Sequence, residues 1–146
     1  FLISVKLVNR DNQAFSQSYY MTGLEPTALR DVQRTFEAPE YETTVGIDLT
    51  KLDAAQIAAQ IAQAKAMLPE GHTFKSVGRY QIEEDVPAGN SAFNRNKTFG
   101  QQHTSFVVRF TEDGKETESS AGKTSYIYYE AEVTVEPDGT LSIEEN

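Results

Sequence analysis

The stretch TKLDAAQIAAQIAQAKAMLP, running from Thr50 to Pro69, decides the fold class. Thr50 is a good N-cap, and Asp53 stands three residues on, in the capping-box position. From there to Leu68 the chain is rich in Ala and holds no Gly or Pro, so nothing interrupts a helix. Ile57, Ile61, Ala64 and Leu68 share one face, and Gln56, Gln60 and Gln63 share another. Pro69 and Gly71 end the run. A lone helix of this length is marginal in water, so it must pack on something. Its Ala-rich face suits close approach to a sheet.

The sheet is read downstream. Four strands are expected: Thr73 to Ile82, Thr104 to Glu112, Thr124 to Glu136 and Thr140 to Glu144. Pro137-Asp138-Gly139 is a tight turn between the last two, and Lys115 to Lys123 is a polar linker. In the longest strand Ile127, Tyr129, Ala131, Val133 and Val135 point one way. Tyr126, Tyr128, Glu130, Glu132 and Thr134 point the other. Phe106, Val108 and Phe110 give a core face with Val107 and Arg109 opposite; Phe74, Tyr80 and Ile82 are in step, with Lys75, Val77 and Arg79 opposite. One buried and one wetter face fits an antiparallel sheet covered on one side. The polar stretch Glu83 to His103 is long for a structureless loop.

Upstream, Phe1, Ile3, Val5 and Leu7 alternate, and a turn at Asn9 to Asn12 leads into Ala14 to Thr22, so an N-terminal hairpin is expected. The same first residues also read as the stub of a removed membrane helix, against which Ser4 and Lys6 speak. Pro26 with Leu29, Val32 and Phe36 predicts a second helix, closed by Pro39. Tyr41, Thr43, Val45, Ile47 and Leu49 predict a short strand. The expected whole is a single α+β domain over residues 1–146. Its mainly antiparallel sheet has four to six strands, with one long helix packed on it. Residues 1–24 form the hairpin or membrane-proximal segment, and residues 26–146 the helix-and-sheet body.

Composition narrows the chemistry. The 146 residues include no Cys and no Trp, and 13 Lys and Arg stand against 22 Asp and Glu, a net charge of −9. A chain of this size buries roughly 68–70% of its unfolded surface, enough for a core without staples. The absence of Cys excludes a disulfide scaffold, Cys-ligated zinc and a thiol nucleophile. A pI near 4.7 argues against non-specific nucleic-acid binding. There is no leader pattern and no apolar run long enough to span a membrane. Any membrane contact would therefore run through a segment outside this chain.

Catalytic motifs are missing. Gly122-Lys123-Thr124 resembles the end of a phosphate-binding loop, but Thr117 stands where that loop needs its first Gly, and a strand follows instead of a helix. His72 and His103 each precede a strand and have no zinc-site spacing. Glu83-Glu84-Asp85 and Glu144-Glu145 read as solvated strand ends rather than as acid/base or cation sites. No G-x-S-x-G elbow and no calcium loop is present. Asn96-Lys97-Thr98 matches a common glycosylation triplet. No catalytic residue, metal or cofactor is called for.

What rises above background is charge and tyrosine placement. Residues 112–146 hold ten acids against Lys115 and Lys123, a net −8, whereas residues 86–111 hold Arg95, Lys97 and Arg109 and no acid. Such asymmetry orients a charged partner or stacks copies head to tail; cross-strand pairing on an exposed face, for example of Arg109 with Glu130 or Glu132, is the competing and simpler explanation. Lys75, Arg79, Arg109, Tyr126 and Tyr128 share the wet face, and Tyr with Arg is what interface hot spots prefer. A second layer covering the tyrosines is the competing explanation.

From residue 26 onward the order helix, strand, long helix and four antiparallel strands resembles the cystatin-like and nuclear-transport-factor-2-like group. The cystatin Q-x-V-x-G loop is absent, so protease inhibition is not implied. Within that group the chain is similar to extracytoplasmic domains of membrane-anchored assembly proteins in bacterial conjugation and type IV secretion. The resemblance implies an extracellular or cell-surface module that works by protein contact or self-association. The expected binding face is Lys75, Arg79, Arg109, Tyr126 and Tyr128, with the 84–103 loop folding over a partner. Two alternatives remain. One is a small-molecule binder or enzyme whose pocket lies between helix and sheet, lined by Tyr80, Tyr129, His103 and Asp48. The other is a virion or surface structural protein.

Overall fold

A computed structural model describes residues 1–87 and 98–145. The fold is α+β with mostly antiparallel strands. Among the described residues it has ten strands and one α-helix, and the strands are divided among three sheets rather than gathered in one. The chain forms two compact units, Phe1–Gly46 with Glu84–Gln101, and Ile47–Glu83 with Gln102–Asn146. The 84–103 loop, Asn96-Lys97-Thr98 and the cations Arg95 and Lys97 lie wholly or partly outside the described residues.

In the first unit, β1 (Leu2–Val8) and β2 (Ala14–Thr22) form the expected hairpin, in register from Leu2 opposite Tyr20 to Val8 opposite Ala14. Asn9 builds its turn: the side-chain carbonyl accepts from the N–H groups of Asp11 and Gln13. The helix expected over 26–36 is absent. Residues there add β3 (Glu25–Ala28) and β4 (Gln33–Arg34) to the other edge of β2. Thr22 stands opposite Glu25, so the β2–β3 loop is Gly23-Leu24, and Gly23 has φ +80°. A positive φ at the first loop position suits a tight hairpin, and the open edge of β2 overrides a weak helical spacing.

The strand expected over 41–49 is also absent. Two 3-10 turns, Tyr41–Thr43 and Leu49–Lys51, replace it. Gly46, at φ +81°, breaks the alternation, and the Glu84 carboxylate accepts the N–H groups of Val45 and Gly46 at 2.8 and 2.6 Å. That use of Glu84 fixes a loop by bonding its backbone.

The second unit begins with the helix. α1 spans Ala54–Ala66, and its N-cap is Asp53, whose carboxylate accepts from the Ala55 N–H. Thr50 is not the cap; its N–H and hydroxyl both donate to Asp48 in the preceding turn. Four strands follow in the order β10 (Leu141–Glu145), β9 (Tyr129–Val135), β6 (Gln102–Glu112), β5 (His72–Glu84). Ala64 of the helix is fully buried with Phe106, Val108, Phe110, Ala131, Val133 and Leu141, and Ile61, Leu68, Phe74, Val77 and Tyr80 pack around them. Val77 therefore faces the core, contrary to strict alternation. Phe74, Val77 and Tyr80 are three apart, which leaves Lys75 with Ser76, and Gly78 with Arg79, exposed between them.

The longest predicted strand is broken. The segment read as a polar linker holds β7 (Thr117–Ser120), which pairs with β8 (Lys123–Tyr126) as a separate two-stranded arm. Phe110 stands opposite Tyr129, and Thr117 opposite Tyr126. The chain thus takes seven steps from Phe110 to Thr117 where its partner takes three from Tyr126 to Tyr129. The surplus forms a turn in which the Lys115 N–H donates to the Glu112 carbonyl, and the ribbon bends away from the sheet. Gly122-Lys123-Thr124 belongs to this arm: Ala121 and Gly122 both have positive φ, the conformation of a two-residue hairpin loop.

Candidate functional site

Bending the ribbon creates a cleft on the sheet face opposite the helix, all within the second unit. Its volume is about 410 Å³, and Lys75, Ser76, Arg109, Thr111, Glu116, Tyr126, Ile127 and Tyr128 line it. A neighbouring cleft of about 320 Å³ continues along the same face past Gly78, Arg79, Val107, Arg109, Glu130 and Glu132. The five residues singled out from the sequence line one or other of these two clefts, and Arg109 lines both.

Arg109 is fixed by its neighbours. Its Nε donates to Glu130 at 2.6 Å, and its Cζ lies 5.3 Å from the centre of the Tyr128 ring. The hydrogen bond to Glu130 raises its pKa above the usual guanidinium value, against a smaller effect of desolvation. Arg79 reaches Glu132 at 3.4 Å, a weaker pair on an exposed face. Lys75 makes no ion pair among the described residues. Tyr126 is 82% exposed and Tyr128 53% exposed. Ile127, expected with the core-facing set, lines the cleft instead, because the strand stops before it.

Sequence reasoning missed four contributors. Thr111 is buried directly after buried Phe110, and its hydroxyl has no hydrogen-bond partner among the described residues. Alternation puts it on the outer face with Arg109, where it lies, but gives no sign that it is buried there. Glu116 and Ser76 gave no signal of their own. Gly78 did: an isolated Gly inside a strand marks close approach. A Cβ there would stand 3.0 Å from Arg109 Nε, so the missing side chain is what lets the guanidinium lie across β5.

The residues proposed for an interior pocket are not gathered. Tyr80 stacks on Phe106 and its hydroxyl donates to Gln60 at 2.7 Å; burial raises its pKa. Tyr129 stacks on Phe110, with His72 edge-on to both rings. Asp48 caps an exposed turn, its pKa lowered by the Thr50 hydroxyl and N–H. His103 lies exposed on β6. Phe106, Phe110 and Leu68 belong to the packed helix-facing side of the sheet. Among the described residues no group of three or more His, Asp or Glu could hold a metal, and no helix is long and apolar enough to cross a membrane.

No protein-family model, no curated protein and no solved structure matches the chain. The functional reading therefore stands on this geometry.

Proposed function

We propose that the chain is a non-catalytic protein-interaction or assembly module that docks a partner on the outer face of its second unit. The observation that carries this reading is the cleft beside the bent arm. Two exposed tyrosines and Ile127 supply apolar walls, Arg109 is held in place by Glu130 and Tyr128, and Lys75 presents an ammonium that has no ion pair among the described residues. Rigid aromatic side chains with an ordered guanidinium are the groups on which interface affinity concentrates. Such a cleft suits an extended segment that inserts an apolar side chain and sets a carboxylate against Lys75. Placement outside the cytoplasm, on a bacterial membrane-anchored or surface protein, is part of the proposal, and the Cys-free composition is in keeping with it.

The test is selection of binders from a random peptide library on the whole chain. The expected winners combine an aromatic or aliphatic residue with an acid, and the double substitution Tyr126→Ala with Tyr128→Ala weakens them at least roughly tenfold, the scale of a lost aromatic hot spot. Winners that bind the double variant as tightly as the original chain would show that the face is wrongly assigned.

A further inference from the structure

Among the described residues the four-stranded sheet ends in two edge strands, one carrying cations and the other an acid on the outer face. β5 and β10 each bond to a single strand. On the outer face, β5 carries Lys75 and Arg79, and β6 carries Arg109. β9 carries Glu130 and Glu132. Glu144 of β10 stands opposite Glu132 in register, on the same face, and is exposed. At the level of Lys75 and Arg79 the face thus runs from cationic at the β5 edge to anionic at the β10 edge, with the exposed acid Glu83 near the far end of β5.

We infer that copies of this chain associate head to tail, β10 of one copy pairing with β5 of the next. The strand directions fit. β9 is antiparallel to both β6 and β10. The end of β6 meets the start of β5, where the Asp113 N–H donates to the Gly71 carbonyl and the Thr73 hydroxyl to the Asp113 carboxylate. β5 and β10 therefore run in opposite directions, and a copy displaced sideways continues an antiparallel ladder. The faces fit as well. Glu132 reaches Arg79, so Glu144, Glu132 and Arg79 lie at one level of the sheet, and the displaced copy brings its Glu144 beside Arg79. On the inner face Ile143 comes beside Val77 and Tyr80, all three partly buried against the core.

Charges on edge strands commonly keep sheets apart. Here they do so selectively. Two β10 edges oppose acids, so that self-complementary pairing is disfavoured, whereas the heterologous one brings Glu144 and Arg79 together. This contact uses the strand edges and does not need the tyrosine-lined cleft.

The experiment is sedimentation velocity of the whole chain across a concentration series, at low and high salt. The original chain is expected to grow in size with concentration, less so at high salt. Arg79→Glu and Glu144→Arg, each alone, are expected to weaken association roughly tenfold, the effect of turning an attractive exposed pair into a repulsive one. Mixed in equal amounts the two variants present opposite charges again, and association returns. If Arg79→Glu unfolds, Lys75→Glu takes its place, since that side chain has no ion pair to lose among the described residues. Tyr126→Ala with Tyr128→Ala sediments as the original chain does, so failure of the docking face and failure of the edge contact are told apart. A monomer at every concentration and salt, association indifferent to both reversals, or a mixture that stays apart overturns the inference.

Discussion

Phe106 and Phe36 are the same residue type in opposite situations, the first with no exposed surface and the second fully exposed. They stand for their units. In Ile47–Glu83 with Gln102–Asn146 the large apolar side chains close over one another around Ala64, Phe106, Val108 and Val133. In Phe1–Gly46 with Glu84–Gln101 the buried members of β1 to β4 are Ala14 and Gln17, while Phe1, Leu24, Phe36 and Val45 are exposed. That unit is held by strand pairing and by side chains bonded to backbone: Asn9 in its turn, Gln17 donating to the Arg30 carbonyl, Asn12 accepting from the Tyr41 N–H, and Glu84 clasping Val45 and Gly46. The difference teaches that one chain can combine an apolar scaffold with a sheet organised by polar contacts.

The strongest way to break this comparison is to truncate both phenylalanines. Phe106→Ala removes a buried ring stacked on Tyr80, and should cost about 3–5 kcal/mol in denaturant unfolding. Phe36→Ala should stay within about 0.5 kcal/mol of the original chain, as exposed positions do. Equal effects would mean that Phe36 has a packed role which its exposure does not reveal.

Legibility in the sequence followed the same division. The helix, β5, β6, β9 and β10 were readable because Ile57, Ile61 and Ala64, or Phe106, Val108 and Phe110, repeat with the period their element requires. The 25–51 region was misread because Leu29, Val32 and Phe36 mimic a helical face while none of them is buried, so their spacing reports no core. Hairpin chemistry at Gly23 and the interruption at Gly46 were the better signals there. Alternation read Arg79, Arg109 and Tyr128 together, but it also put Val77 beside Arg79, and Val77 faces the core. The cleft was not legible. It depends on the surplus residues between Phe110 and Thr117, and the segment Thr124 to Tyr129 contains no Gly or Pro to announce a bend.

A smaller effect sharpens the comparison through two turns with positive φ. Ala121 in the arm sits at φ +49° and Asn12 in the first unit at +57°. An L-residue with a simple Cβ is disfavoured there by about 1–2 kcal/mol, whereas Gly is free and Asn is tolerated. Ala121→Gly should stabilise the arm by up to about 1 kcal/mol after the added freedom of the unfolded chain is counted. Asn12→Ala should destabilise the first unit, since it adds the same strain and removes the acceptor for Tyr41. Thermal unfolding and arm-resolved exchange read both.

The smallest expected effect is on acid stability. Asp138 in the β9–β10 turn has its pKa lowered below its ordinary 3.8, first by the Thr140 hydroxyl and then by the Thr140 N–H. A carboxyl with a depressed folded pKa binds protons more readily in the unfolded chain. Its contribution is complete above about 3.8 and is lost as pH falls through the lower folded value. Asp138→Asn should therefore lower the melting temperature slightly at neutral pH and flatten its fall below about pH 3.8, the two chains converging in acid.

The most direct test of the account is hydrogen exchange of the intact chain, resolved by segment. The central strands β6 and β9 are predicted to exchange slowest, near the rate of global unfolding, because their core side chains are buried. β1, β3 and the β7–β8 arm should exchange faster through local opening. Protection in β1 and β3 equal to that in β6 and β9 would contradict the division between a packed scaffold and a sheet held by polar contacts.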